Sequence, residues 1–160
     1  MNKEEILRIL QSVTDPEIQV LTLEDMGIIR DINIDEDEKV EVVITPTYTG
    51  CPAMDLIAVN IKSALQEAGI QNVEVKTTLS PAWSTDWLSE EGRKKLKAYG
   101  IAPPEKAAGK SALLGLDGGV TCPRCNSTNT RLISEFGSTA CKALYQCNDC
   151  LEPFDYFKCI

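Results

Sequence analysis

Seven cysteines and no histidine set the chemistry open to this chain of 160 residues. Cys122-Pro-Arg-Cys125 and Cys147-Asn-Asp-Cys150 are two Cys-x-x-Cys pairs separated by 21 residues. Two residues between thiols let both sulfurs of a pair reach one ion, and a second pair completes a tetrahedral shell of four sulfurs at about 2.3 Å each. Such a shell is closed, with no position left for substrate or water. The missing imidazole excludes a Ser-His-Asp triad, a Cys-His nucleophile, a Cys₂His₂ finger, a Rieske centre and a Glu-x-x-His di-iron bundle.

In the segment between the pairs, Arg131-Leu132-Ile133 and Ala143-Leu144-Tyr145-Gln146 read as short strands, the pattern of a hairpin. Residues 120–160 therefore resemble a zinc ribbon, in which an ion replaces most of a core. A unit of about 40 residues seldom buries enough apolar surface to fold alone. Structural zinc contributes about 10–16 kcal/mol in small peptides. A tetrathiolate also accepts iron, so the reading is structural zinc with iron as the rival ion. Cys141 and Cys159 fall outside the pairs; they read as small packed hydrophobes, or else as alternative ligands or a redox pair. Phe136, Tyr145, Phe154, Tyr156 and Phe157 concentrate aromatic surface in the tail, which reads as a docking surface as much as a core.

The remaining cysteine, Cys51, lies in Thr45-Pro46-Thr47-Tyr48-Thr49-Gly50-Cys51-Pro52, where a strand gives way to a helix. Pro52 suits a first helical position. That places Cys51 at the cap, where free backbone amides and the helix dipole favour thiolate, although a buried, inert cysteine fits the same spacing. Asp15-Pro16-Glu17 offers two carboxylates in a loop, by themselves no more than a helix stop with a solvated turn.

Apolar periodicity predicts the elements that position these groups. Residues 3–13 read as an amphipathic helix and 28–34 and 39–45 as strands of a hairpin around the acidic turn 35–38. A second helix follows Pro52 and ends at Gly69, residues 73–79 alternate as a third strand, and 85–99 read as a polar helix. The predicted fold class is α+β, with helices packed on a mixed three-stranded sheet and a C-terminal zinc ribbon after it. The domains expected are 1–100, a linker or arm at 101–119 rich in Pro, Ala and Gly, and the ribbon at 120–160. Residues 1–100 hold 18 acidic and ten basic side chains, a sign that repels polyphosphate and argues against nucleic acid. With no apolar run long enough for a membrane span and a charged first turn, the expectation is a cytoplasmic protein with reduced thiols.

Asp15-Pro16-Glu17-Ile18, Asp25-Met26-Gly27-Ile28 and Thr45-Pro46-Thr47 with Gly50-Cys51-Pro52 resemble the MIP18 (DUF59) family over residues 3–80. That resemblance implies a role in iron–sulfur cluster assembly and protein maturation, with Cys51 as the functional thiol and Asp15, Glu17 and Thr47 in support. The tail, with Phe136-Gly137-Ser138-Thr139-Ala140-Cys141 and Glu152-Pro153-Phe154, is similar to the family of phenylacetate-degradation accessory proteins that accompany a multicomponent phenylacetyl-CoA epoxidase. Together the resemblances imply no enzyme but an accessory factor that matures or assembles the di-iron or iron–sulfur centres of that oxygenase. Its partners would be the epoxidase subunits or iron–sulfur assembly proteins, and its cargo a transient iron or iron–sulfur cluster. Two other roles stay open: a stoichiometric structural subunit, and an electron carrier holding iron in the Cys₄ site.

Overall fold

A computed structural model describes residues 1–104 and 120–157. Cys159 and residues 105–119 of the expected linker lie outside the described residues. The chain divides into two compact units, Met1–Ser89 and Glu90–Ile160.

In the first unit α1 spans Lys3–Leu10 and is opened by a capping box. The Asn2 side chain accepts from the Glu5 N–H at 2.9 Å while the Glu5 carboxylate accepts from the Asn2 N–H at 2.9 Å. The helix ends three residues before the predicted stop. A long connection then leads to β1 (Ile29–Ile34), β2 (Val40–Ile44), α2 (Ala53–Glu67) and β3 (Val73–Thr77). The sheet order is β1-β2-β3, with β1 antiparallel and β3 parallel to β2. This is the mixed three-stranded sheet that the alternation predicts, with α2 as the crossover between parallel neighbours. On β2 the residues Val40, Val42 and Ile44 face inward, and on α2 the stripe Ala53, Ile57, Ile61 and Leu65 covers them together with Ile6 and Leu10 of α1.

The connection from 11 to 28 is held as a second, smaller hairpin. Thr14 and Thr22 form an isolated bridge, the Asp15 N–H donates to the Leu21 carbonyl at 2.9 Å, and the Leu23 N–H donates to the Val13 carbonyl at 3.1 Å. Ile18, Leu21, Leu23, Met26 and Ile28 are buried, so the loop is part of the core and fixes the turn that begins at Asp15.

The helix predicted at 85–99 is two elements. Thr85–Trp87 is a single 3₁₀ turn in the first unit, and α3 (Glu90–Tyr99) begins the second. Composition places the boundary later, because it changes only after Ile101. In the structure, Gly100, at φ 90°, ends α3 and Ile101–Ala102 forms β4, which pairs in parallel with β7 (Pro153–Phe157). The Arg93 guanidinium, buried, donates to the Pro104 carbonyl and ties α3 to the chain beyond β4. With β5 (Thr130–Ser134) and β6 (Lys142–Cys147) the second sheet has the order β4-β7-β6-β5.

The tail aromatics correct the docking reading. Tyr145 stacks on Phe154 with ring centres 5.9 Å apart and meets Tyr156 edge-on at 5.7 Å. Tyr145, Phe154, Ala102, Ala143, Cys122 and Cys147 form one buried cluster, and Phe157 is buried as well. Of the five rings only Phe136 is exposed. Two of the six residues in that cluster are cysteines of the knuckles, so the interior is built around the sulfurs.

Candidate metal centre and thiol site

The four sulfurs of Cys122, Cys125, Cys147 and Cys150 all lie within 4.8 Å of one another. Cys122 and Cys150 are 3.8 Å apart, and Cys125 and Cys147 3.6 Å. Bonds of about 2.3 Å to a tetrahedral centre require sulfur edges of about 3.8 Å, so the donor set fits one ion held by four thiolates. The two halves are built alike. Each Cys-x-x-Cys is followed by a residue in the left-handed region, Asn126 at φ 61° and Leu151 at φ 66°. That bend turns the chain back, so that the Cys122 N–H donates to the Ser127 carbonyl at 2.8 Å and the Cys147 N–H to the Glu152 carbonyl at 3.0 Å.

Backbone amides aim at the sulfurs. The Arg124 N–H donates to Cys122 Sγ at 3.4 Å and the Cys150 N–H to Cys147 Sγ at 3.5 Å. Such donors stabilise thiolate and orient it toward an ion. The Cys150 amide, acting against burial and aided by the Asp149 amide, lowers the Cys147 thiol to about 7. At Cys150 the Glu152 amide also lowers the value, but burial and the sulfurs of Cys125, Cys147 and Cys122 outweigh it and push the thiol up to about 12. Four sulfurs this close cannot all be anionic by themselves; a cation in their centre removes the conflict.

Cys141 is not a fifth ligand. It is buried and its sulfur lies 3.1 Å from Thr139 Oγ1, as the packed-hydrophobe reading expects.

In the first unit the helix register differs from the one that spacing predicts. Pro52 is the N-cap and α2 begins at Ala53, so Cys51 stands one position before the cap. Its thiol is half-buried, with the Ala53 N–H and the Tyr48 side chain hydrogen-bonded to it. These favour thiolate, as expected of a helix start. Burial works the other way and is the largest influence, and the negative charges of Glu17 and Asp15 add to it, so the thiol is raised above its ordinary value. The thiolate expected from the helix end is thus outweighed by burial first, with the charges of Glu17 and Asp15 adding to it.

Asp15 is buried. Its Oδ1 accepts from the Glu17 N–H at 2.8 Å and the Ile18 N–H at 2.8 Å, so at Asp15 the expected solvated turn is instead a buried, hydrogen-bonded one. The fold thereby brings Asp15, Glu17, Tyr48 and Cys51 into one electrostatic site, with Thr47 buried in the same strand-to-helix segment.

Asp25-Met26-Gly27 has a structural part that spacing did not reveal. Asp25 accepts from the Thr22 N–H at 3.2 Å and from Ser89 Oγ at 3.0 Å, while Thr22 Oγ1 accepts from the Asp25 N–H at 3.0 Å. The Met26 carbonyl takes the indole N–H of buried Trp83 at 2.7 Å. Gly27, at φ 67°, lies where a Cβ would come within 2.6 Å of the Trp87 carbonyl oxygen. Arg30 sets its guanidinium over the Trp87 ring, 3.6 Å from its centre. The motif clamps residues 83–89 to the first unit.

Comparison with known proteins matches residues 3–77 to the family described as iron-sulfur cluster assembly protein and residues 106–158 to the PaaD zinc beta ribbon domain. A protein of Escherichia coli (strain K12) described as a putative subunit of 1,2-phenylacetyl-CoA epoxidase is 49% identical over 156 residues, covering 98% of this chain and 92% of that one. The "Fe-S protein maturation auxiliary factor" of Porphyromonas gingivalis (strain ATCC BAA-308 / W83) is 35% identical over 59% of this chain and 90% of its own. A crystal structure of a DUF59 domain of unknown function from Bacillus anthracis superposes with a TM-score of 0.55 at 25% identity, covering 59% of this chain and 90% of that chain. Fold and site thus define a two-domain protein, an iron–sulfur-assembly type α+β domain followed by a Cys₄ zinc ribbon. The chain belongs to the PaaD family. Among the described residues no helix is long and apolar enough to cross a membrane.

Proposed function

We propose that the protein is a non-catalytic accessory factor that matures or assembles the metal centres, di-iron or iron–sulfur, of the phenylacetyl-CoA epoxidase oxygenase. The observation that carries this reading is the gathering of Cys51, Tyr48, Glu17 and Asp15 at one strand-to-helix junction, apart in chemistry from a closed S₄ site. A protonated thiol beside two carboxylates is a soft donor next to hard ones. It can take iron or a cluster edge by exchanging its proton for the metal, and the carboxylates favour that cation as much as they disfavour bare thiolate. Thr47, buried beside them, supports the segment. The relatives' names, a maturation factor for the first domain and an epoxidase component for the whole chain, support the reading. In the ribbon we take the ion to be zinc, without redox work, a choice supported by the match to a zinc beta ribbon domain and by the closed set of four thiolates.

Reconstitution tests it. Cells lacking the wild-type protein and supplied with Cys51→Ala should yield oxygenase deficient in metal and activity; fully metallated, fully active oxygenase would end the proposal. A second reading, a stoichiometric structural subunit, is favoured by the name of the 49% identical relative and predicts co-purification with the oxygenase at a fixed ratio, unaffected by Cys51→Ala. An iron electron carrier predicts a coloured protein with iron in the Cys₄ site.

A further inference from the structure

The net charge of −8 hides an opposition between the units. Met1–Ser89 holds 16 acidic and six basic side chains, while Glu90–Ile160 holds eight acidic and ten basic. The positive excess gathers on α3, with Arg93, Lys94, Lys95 and Lys97, and beside it at Arg124 of the first knuckle.

We propose that the cleft between α3 and that knuckle is a docking site for an acidic, carboxylate-rich segment of a partner protein. The cleft has a volume of 510 Å³ and is lined by Lys94, Lys97, Ala98, Gly100, Pro123 and Arg124. Three of these six residues are cations, and the other three, Ala98, Gly100 and Pro123, are small or rigid and carry no opposing charge. Arg93 does not compete for the ligand, since it is buried and its Nη1 donates to the Pro104 carbonyl.

Arg124 is a built element of this cleft. Its amide is fixed by the hydrogen bond to Cys122 Sγ, and its guanidinium lies against Gly100, so close that a Cβ there would come within 3.2 Å of Nη2. Among the described residues neither the Arg124 guanidinium nor the Lys97 ammonium has a carboxylate partner. Lys94 has one, Glu91 at 3.3 Å, but both side chains are exposed and a surface pair of that kind is weakly held. An incoming carboxylate can take its place.

The arrangement fits a segment better than a compact anion. A phosphate site focuses backbone amides and buried donors on one point, as at a helix N-terminus. Here the lining cations are the exposed side chains of Lys94, Lys97 and Arg124, with no buried donor and no helix N-terminus among them, which suits carboxylates carried on a chain. The charge of each unit adds selectivity: Met1–Ser89 repels an anionic partner, whereas Glu90–Ile160 carries the positive excess. The proposal does not depend on any role of Cys51, and its test involves no oxygenase.

The test uses full-length zinc-loaded protein and a fluorescein-labelled oligo-glutamate peptide, followed by anisotropy and by amide chemical shifts. Expected are shifts confined to residues 94–100 and 123–124, affinity that falls steeply with salt, and binding weakened about tenfold in the Lys97→Gln/Arg124→Gln variant. Zinc content verifies that variant; should it lose metal, Lys97→Glu alone, on α3 and away from the ligands, carries the test. Unchanged affinity in a folded variant, or shifts elsewhere, overturns the proposal. So does displacement of the peptide by pyrophosphate at lower concentration, which marks a compact-anion site. Sedimentation as a dimer that Lys97→Glu dissolves also overturns it, making the occupant the acidic surface of a second copy.

Discussion

Replacing one sulfur of the tetrathiolate tests the foundation of the second unit. Sulfur edges of 3.6 and 3.8 Å put all four donors within reach of one ion, and an even division assigns each about a quarter of the binding free energy. For a structural zinc site of about 10–16 kcal/mol, that share is about 2.5–4 kcal/mol, or roughly two to three orders of magnitude in affinity. Cys150→Ser should show this loss in a chelator-competition titration of zinc. Because two knuckle cysteines are part of the buried cluster with Tyr145 and Phe154, metal loss should also open the sheet. Limited proteolysis of metal-depleted protein should cut within 120–157 and expose β4, which pairs with β7 and buries Ala102 in the cluster around the sulfurs, while Met1–Ser89 resists on its own core. Cys141→Ser is the control. That cysteine is buried but outside the shell, so the variant should keep its zinc affinity. If Cys150→Ser binds zinc as the wild type does, or Cys141→Ser loses as much, the four-sulfur account is refuted.

Two further outcomes concern the first unit. Alkylation of Cys51 with iodoacetamide should rise with pH around a midpoint above the ordinary thiol value of 9.0, lowered in Asp15→Asn and Glu17→Gln and raised in Tyr48→Phe; a wild-type midpoint below 9.0 contradicts the electrostatic reading. The sign also holds for stability: the fold favours the protonated thiol, so this contribution is present below the unfolded thiol's pKa and is lost as pH rises through the higher folded value. Gly27→Ala forces a left-handed φ on a residue with a Cβ and drives that atom into Trp87, so urea unfolding should report a loss of about 2 kcal/mol or more; a midpoint within error of wild type would mean the segment at 83–89 moves freely.

Residue type and spacing alone determined the Cys₄ centre, because two Cys-x-x-Cys pairs need only a hairpin to converge and the chain between them is short. The same holds for α2 and β2, whose inward residues Ile57, Ile61, Leu65, Val40, Val42 and Ile44 follow the periods of their own elements. Tertiary structure alone decided what depends on surfaces meeting from distant parts of the chain. The thiol of Cys51 follows local amides in sequence, but burial and the carboxylates of Asp15 and Glu17, delivered by a loop whose hydrogen bonds are non-periodic, reverse its preference. Composition places Ile101 and Ala102 in a linker, since two residues carry no period; only the free edge of β7 makes them a strand. The tail aromatics Tyr145, Phe154 and Tyr156 stand on two different strands, and only the pairing of those strands beside the folded-back knuckles gives them an interior to fill. Short-range chemistry is written in neighbouring residues, whereas a pKa, an edge strand or a core contact is set by which groups the packed chain brings within a few ångströms.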